Sequence, residues 1–182
     1  MNARRWTRRS ALALGLSAVG TALVVHRAPA DVSSVTLGEV TFDVPSAVQP
    51  TAEVPGVTRD WAWQGTSTTG RGTAPSTIVL ARSDLHATDP EEVLGLLLAG
   101  AVDGQLPGLV TQPRRARSLG GRQGDQVRID LSYQASQRRR YRGTLLVATR
   151  PQPPAALLVV LGDDTLTAGT VSGVLDSLRW TS

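Results

Sequence analysis

The strongest constraint on this chain is a period of two that runs through residues 127–147. Val127, Ile129, Leu131, Tyr133 and Ala135 alternate with Arg128, Asp130, Ser132 and Gln134, and a β-strand is what places every second side chain on one face. After Ser136-Gln137 the pattern returns, with Tyr141, Gly143, Leu145 and Val147 alternating with Arg140, Arg142 and Thr144. Two such runs joined by a short polar connection predict an antiparallel hairpin with one dry and one wet face. Matching dry face to dry face sets Asp130 opposite or diagonal to Arg142, where a cross-strand ion pair contributes at most about 1 kcal/mol.

The dry face needs a cover, and the flanking sequence supplies it. Val40, Phe42 and Val44 alternate with Thr41 and Asp43 up to Pro45, a half-buried strand. Residues 45–57 form a proline-bearing connection, and residues 59–64 predict a second strand with Trp61 and Trp63 on one face. Residues 65–75 hold Ser, Thr and Gly with little that is apolar, which predicts a mobile hairpin loop, and residues 77–83 return as a strand. Asp89-Pro90-Glu91-Glu92 then announces a helix: Asp89 caps the free amides, Pro90 suits the first turn, and Glu92 completes a capping box. Its Val93, Leu94, Leu96, Leu97, Leu98 and Ala101 are apolar over most of the circumference, and it ends near Gly104. Residues 155–161 are apolar without alternation, as in a central strand covered on both faces. Residues 162–165 turn into a last helix with Val171, Val174, Leu175 and Leu178 on one stripe, and Trp180 closes the domain. The sum is an α+β fold, a mainly antiparallel sheet flanked by helices in an α/β/α sandwich.

Ahead of this domain stands a leader. Arg4, Arg5, Arg8 and Arg9 precede an apolar stretch over residues 11–25, and Ala28-Pro29-Ala30 offers small residues for a cut after Ala30. As a helix that stretch would span about 22 Å against a hydrocarbon core of about 30 Å. The reading is therefore a cleaved signal peptide over residues 1–30, an N-terminal extension over 31–38 and one domain over 39–182. An uncleaved membrane anchor is the alternative. Thr7-Arg8-Arg9-Ser10-Ala11-Leu12 resembles a twin-arginine signal, and the general secretory route stands beside it.

The formal charge of +4 arises from 19 basic and 15 acidic residues. Five arginines and no acids fall in residues 1–30, so the remainder carries 14 arginines against 15 acids, a net −1. The basicity belongs to the leader and does not argue for nucleic acid. Every basic residue is arginine, the bias of a GC-rich, actinobacterial-like genome. The chain has no cysteine, which excludes disulfides, thiolate metal sites and a cysteine nucleophile.

Four stretches together resemble the Mog1/PsbP-like family, including its DcrB-like and LpqN-like exported bacterial members. They are the opening strand Val40-Thr41-Phe42-Asp43-Val44-Pro45, the helix start Asp89-Pro90-Glu91-Glu92-Val93-Leu94, the hairpin from Gly121 to Val147, and the ending Val174-Leu175-Asp176-Ser177-Leu178-Arg179-Trp180. Many relatives place a tryptophan soon after the proline that ends the first strand. Here Ala47-Val48-Gln49 stands there, so Trp61 or Trp63 fills that space or the edge is built differently. Known members mostly bind larger partners or assist assemblies and share no catalytic residues. The resemblance implies an exported, non-enzymatic binding or accessory domain at the cell envelope, acting through protein–protein contact.

The chemical candidates are few. His86, with Ser83, Asp84 and Asp89 near it, is the one route to a hydrolytic triad, but no Gly-x-Ser-x-Gly elbow presents a serine and a solvated loop histidine is the favoured reading. Asp163-Asp164 lacks the spacing of a calcium loop and reads as turn and capping chemistry. No cofactor or metal site is expected. Arg114, Arg115 and Arg117, and Arg138, Arg139, Arg140 and Arg142, are the charge clusters; the second is a candidate patch for anionic lipid, cell-wall polymer or an acidic partner, weighed against a solvated hairpin tip. Trp61 and Trp63 are a candidate ligand groove for a small apolar or lipid-like molecule, weighed against plain packing.

The leader generates the first test. Under the twin-arginine reading, changing Arg8 and Arg9 to Lys stops export, followed as loss of the protein from the envelope and extracellular fractions. Unchanged export assigns the general route.

Overall fold

The hairpin is present with the register that the alternation requires. In the computed structural model, which describes residues 25–27, 31–54, 57, 61–68, 74–102, 109–111, 125–136, 139–151 and 154–181, thirteen elements follow one another. They are strands β1 (Val25–Arg27), β2 (Val32–Leu37), β3 (Val40–Pro45), β4 (Gln49–Pro50), β5 (Trp63–Ser67) and β6 (Thr77–Leu85), helix α1 (Pro90–Val102), strands β7 (Leu109–Thr111), β8 (Asp125–Ser136), β9 (Arg139–Thr149) and β10 (Ala155–Gly162), helix α2 (Ala168–Asp176) and strand β11 (Arg179–Trp180). All strand pairs are antiparallel: seven strands form one sheet in the order β4-β5-β6-β10-β9-β8-β7, and four form a second in the order β1-β2-β3-β11. The class is α+β.

Strand β10 lies at the middle of the large sheet and buries all eight of its residues. Its odd positions, Leu157, Val159 and Leu161, join Ile78, Leu80, Ile129, Tyr133, Tyr141 and Leu145 in one core, closed by Val93 and Leu94 of α1. Its even positions, Ala156, Leu158 and Val160, join a second core with Val79, Leu146, Phe42, Val44 and, from α2, Val174 and Leu175. A run without alternation is therefore a strand with an apolar layer on each side.

The second layer holds more than the expected helix. One face of the large sheet is covered by α1, but the other is covered by the small sheet together with α2, so strands do much of the work assigned to a helix. Residues 32–37, expected in an N-terminal extension, form β2 and bury Val35 and Leu37 against that face. A two-residue turn joins β2 to β3, and Gly38 takes φ of +58° there, a left-handed conformation that costs glycine little. Asp43 ties the layer together: its Oδ1 accepts from Ser34 Oγ at 2.5 Å, its backbone N–H donates to Ser177 Oγ at 2.7 Å, and Arg179 reaches Oδ2 at 3.3 Å. β1, inside the segment read as leader, pairs with β2 at the sheet's outer edge. Arg8, Arg9, Ala28 and Ala30 lie outside the described residues, as does the expected end of α1 near Gly104.

Local corrections follow the same logic. The second strand runs from Trp63 to Ser67, with residues 61 and 62 outside it; residues 59 and 60 of the expected strand lie outside the described residues. The segment 65–75 is thus part strand, and Ser76 closes it by donating its N–H to the Ser67 carbonyl at 2.7 Å. Thr167 caps α2, accepting from the Thr170 N–H at 3.2 Å. At α1 the Asp89 carboxylate accepts from the Glu91 N–H at 2.9 Å. The stacked rings of Tyr133 and Tyr141, 6.3 Å apart, face each other across β8 and β9. Burial and the neighbouring Tyr141 push the Tyr133 phenol up.

Among the described glycines Gly143 has the least room, because a Cβ there would run into the carbonyl of Val160 on β10. Backbone on the central strand cannot swing aside as a side chain tip does. Gly143→Ala should therefore lower the unfolding free energy by about 1–3 kcal/mol, read as a shifted urea midpoint with unchanged slope.

Candidate functional site

The wet face of the hairpin is where cover runs out. On β9, Arg142 is exposed and Thr144 partly so, whereas Leu146 and Ala148 of the same face are buried under the small sheet. Beyond that boundary the polar face of β8 and β9 meets α2 across an open groove. Asp130, Arg142, Gly143 and Thr144 form its sheet side, Asp163, Asp164 and Leu166 its end, and Ala168, Val171 and Ser172 of α2 its far wall, around a cavity of about 500 Å³.

The charges in the groove do not neutralise one another directly. Asp130 stands across from Thr144, with Arg142 on the diagonal, and it accepts from Thr144 Oγ1 at 3.0 Å. Asp163 accepts from the Thr165 N–H at 3.0 Å and from Thr165 Oγ1 at 2.6 Å, which bears out the turn chemistry expected of it. Among the described residues, neither the Arg142 nor the Asp164 side chain has a hydrogen-bond or ion-pair partner. At the edge of the groove Arg140 donates to Ser132 Oγ at 3.2 Å. Arg128, one pair further along β8, reaches Asp176 at 2.6 Å and pins the end of α2 to the sheet.

The expected site residues fare unequally. Arg140 and Arg142 share a face, as their spacing requires; Arg138 lies outside the described residues, and Arg139 is described only as a backbone position of β9. Arg114, Arg115 and Arg117 also lie outside them. Trp61 and Trp63 do not line a common groove. Trp61 precedes β5 and packs in the core under α1, while Trp63 packs in the opposite core. Period two applies only inside a strand, and the strand starts at Trp63. The Trp63 ring meets Phe42 edge-on at 5.6 Å and lies across Gly65, where a side chain would collide with it. Both indoles are buried, at 8 % and 5 % exposure, which is packing.

His86 is exposed just beyond β6. Asp84 is held by Arg82 at 3.0 Å and Asp89 caps α1, so these carboxylates have other occupations. Thr144, Leu166 and Val171 are not anticipated as site residues, and Asp164 is expected only in turn and capping chemistry. Their signal in the sequence is the end of apolar alternation on β9 read together with the turn after β10. Among the described residues no group of three or more His, Cys, Asp or Glu is placed to hold a metal ion, and no helix is long and apolar enough to cross a membrane. No protein-family model matches the chain, and no curated protein matches it.

The hydrogen bond from Arg82 holds the Asp84 carboxyl below the ordinary carboxylate value. A depressed carboxyl adds stability that is present above its unfolded pKa and is lost as pH falls through the folded one; with the side chain 64 % exposed the amount is small. Arg82→Gln should return the Asp84 titration toward the ordinary value in a carboxyl carbon NMR series. A titration that ignores this change but moves in His86→Ala would give the carboxylate to the histidine.

Proposed function

We propose that this chain is an exported, non-enzymatic binding or accessory domain that works at the cell envelope through a protein partner, and that its α+β architecture is a sandwich of Mog1/PsbP-like type. The leader supports the location. A large antiparallel sheet held between α1 and the layer containing α2 supports the architecture. The observation that carries the function is the open groove, where the large sheet presents mixed charge beside a helix. A groove built on strands holds its groups in fixed geometry, as recognition requires.

The same lining argues against a polyanion as the partner. Arg142 is accompanied by Asp130, Asp163 and Asp164, and three carboxylates repel a lipid headgroup array or an acidic polymer. A protein surface carrying both signs of charge fits better.

The test is cross-linking in envelope extract from the native host, with the purified protein as bait. The wild-type protein should capture a discrete partner, and Arg140→Glu combined with Arg142→Glu should lose it while the thermal midpoint shifts by less than a few degrees. Equal capture by both proteins would remove the groove from the interaction.

A further inference from the structure

The unpaired state of Arg142 has a consequence for ligand chemistry. A guanidinium with three carboxylates around the same cavity would ordinarily close an ion pair. Here the nearest candidate by register, Asp130, is diagonal to it and held by Thr144, and Asp163 is drawn into its own turn by Thr165. Among the described residues, the Arg142 side chain on β9 and the Asp164 side chain beyond β10 are thus left as a cation and an anion without a partner, lining a single cavity. The pairing of Arg142 with Gly162 sets Asp164 only two residues past the strand position opposite the arginine. The uncharged lining of the same cavity is Gly143, Leu166, Ala168 and Val171, with the hydroxyls of Thr144 and Ser172.

We infer that the groove binds a small bipolar molecule, a short peptide with both ends free, whose carboxylate meets Arg142 and whose ammonium meets Asp164. Apolar methyl-sized side chains lie against Leu166 and Val171. The cavity volume falls in the range of small-molecule sites, and its mixed lining fixes the ligand's direction as well as its class. Arginine suits the carboxylate end because its planar fork matches two oxygens at once. Asp130 and Asp163 stay with their threonines and exclude ligands with a second negative charge.

This inference rests on the groove being the functional surface, and its test separates the two ideas. Trialanine is titrated into the isotopically labelled protein and followed by amide NMR shifts at residues 142–144 and 163–166. Alongside it run trialanine acetylated at its N-terminus, trialanine amidated at its C-terminus, and trialanine with both caps. Free trialanine should shift those amides saturably, and each single cap should weaken binding by about tenfold, the cost of one charge-assisted contact. Arg142→Gln should lose affinity for free trialanine and become indifferent to the C-terminal amide. Asp164→Asn should become indifferent to the N-terminal acetyl group. Both variants change exposed side chains, and an unchanged thermal midpoint shows that they are folded.

Shifts absent at millimolar trialanine, or equal binding of the doubly capped peptide, would overturn the inference. If they fail while Arg140→Glu with Arg142→Glu still loses the cross-linked partner, the partner surface stands and the ligand class falls. If trialanine binds as described and the partner is captured equally by both proteins, the partner reading falls and the ligand site stands.

Discussion

Everything in this fold depends on the burial of one strand from both sides. Each fully buried valine or leucine side chain on β10 contributes about 1.5–3 kcal/mol, and that gain exists only if an apolar layer lies on each face. The strand also needs a hydrogen-bonded neighbour on each edge, which β6 and β9 provide. The requirement for two covers selects the rest: α1 brings Val93 and Leu94 to one face, and β2, β3 and α2 bring Val35, Phe42 and Leu175 to the other. Gly143 follows from the same demand, because the neighbouring strand must approach the β10 backbone closely.

Cover of this kind diminishes with distance from the centre, and the groove lies where it stops. On one face of β9 the side chains change from Arg142 and Thr144 to Leu146 and Ala148. That change marks the rim of the small sheet. Beyond the rim α2 is the remaining cover; it follows the turn from Gly162 to Leu166, closed by the Leu166 N–H on the Asp163 carbonyl at 3.1 Å, and is pinned at its other end by Arg128 and Asp176. A helix fixed at the far end over a polar sheet face leaves an open cleft.

How much of this is legible in the sequence depends on the range of the interaction. The hairpin, β10 and the start of α1 are encoded by neighbours two to four residues apart, through alternation, its absence and capping groups, and the chain displays them openly. The second sheet is not encoded that way. β11 is two residues long and pairs with β3, a partner more than a hundred residues earlier, and nothing local distinguishes Arg179-Trp180 from the frayed end of a helix. Residues 32–37 carry only Val35 and Leu37 as buried apolar positions, too few to announce a strand until β3 is seen beside them. The tryptophans mislead for a related reason: Trp61 and Trp63 are two apart, but the chain becomes extended only at the second.

The groove was half visible. Arg140, Arg142 and Asp130 declare themselves on the wet face, and an ion pair between the last two is the natural reading of their spacing. Geometry decides otherwise, because antiparallel register makes Thr144, not Arg142, the direct neighbour of Asp130. A hydroxyl directly across the strand satisfies the carboxylate with a short side chain and little loss of rotamer freedom. Reaching the diagonal arginine would order a long, flexible side chain for an exposed pair whose net contribution is at most about 1 kcal/mol. The neighbour wins, and the guanidinium is left to the cavity. Position 144 therefore governs the chemistry of the groove: a valine in place of threonine would leave Asp130 without its hydroxyl, favour the diagonal pair, and quench the free cation on which recognition of an anionic group depends.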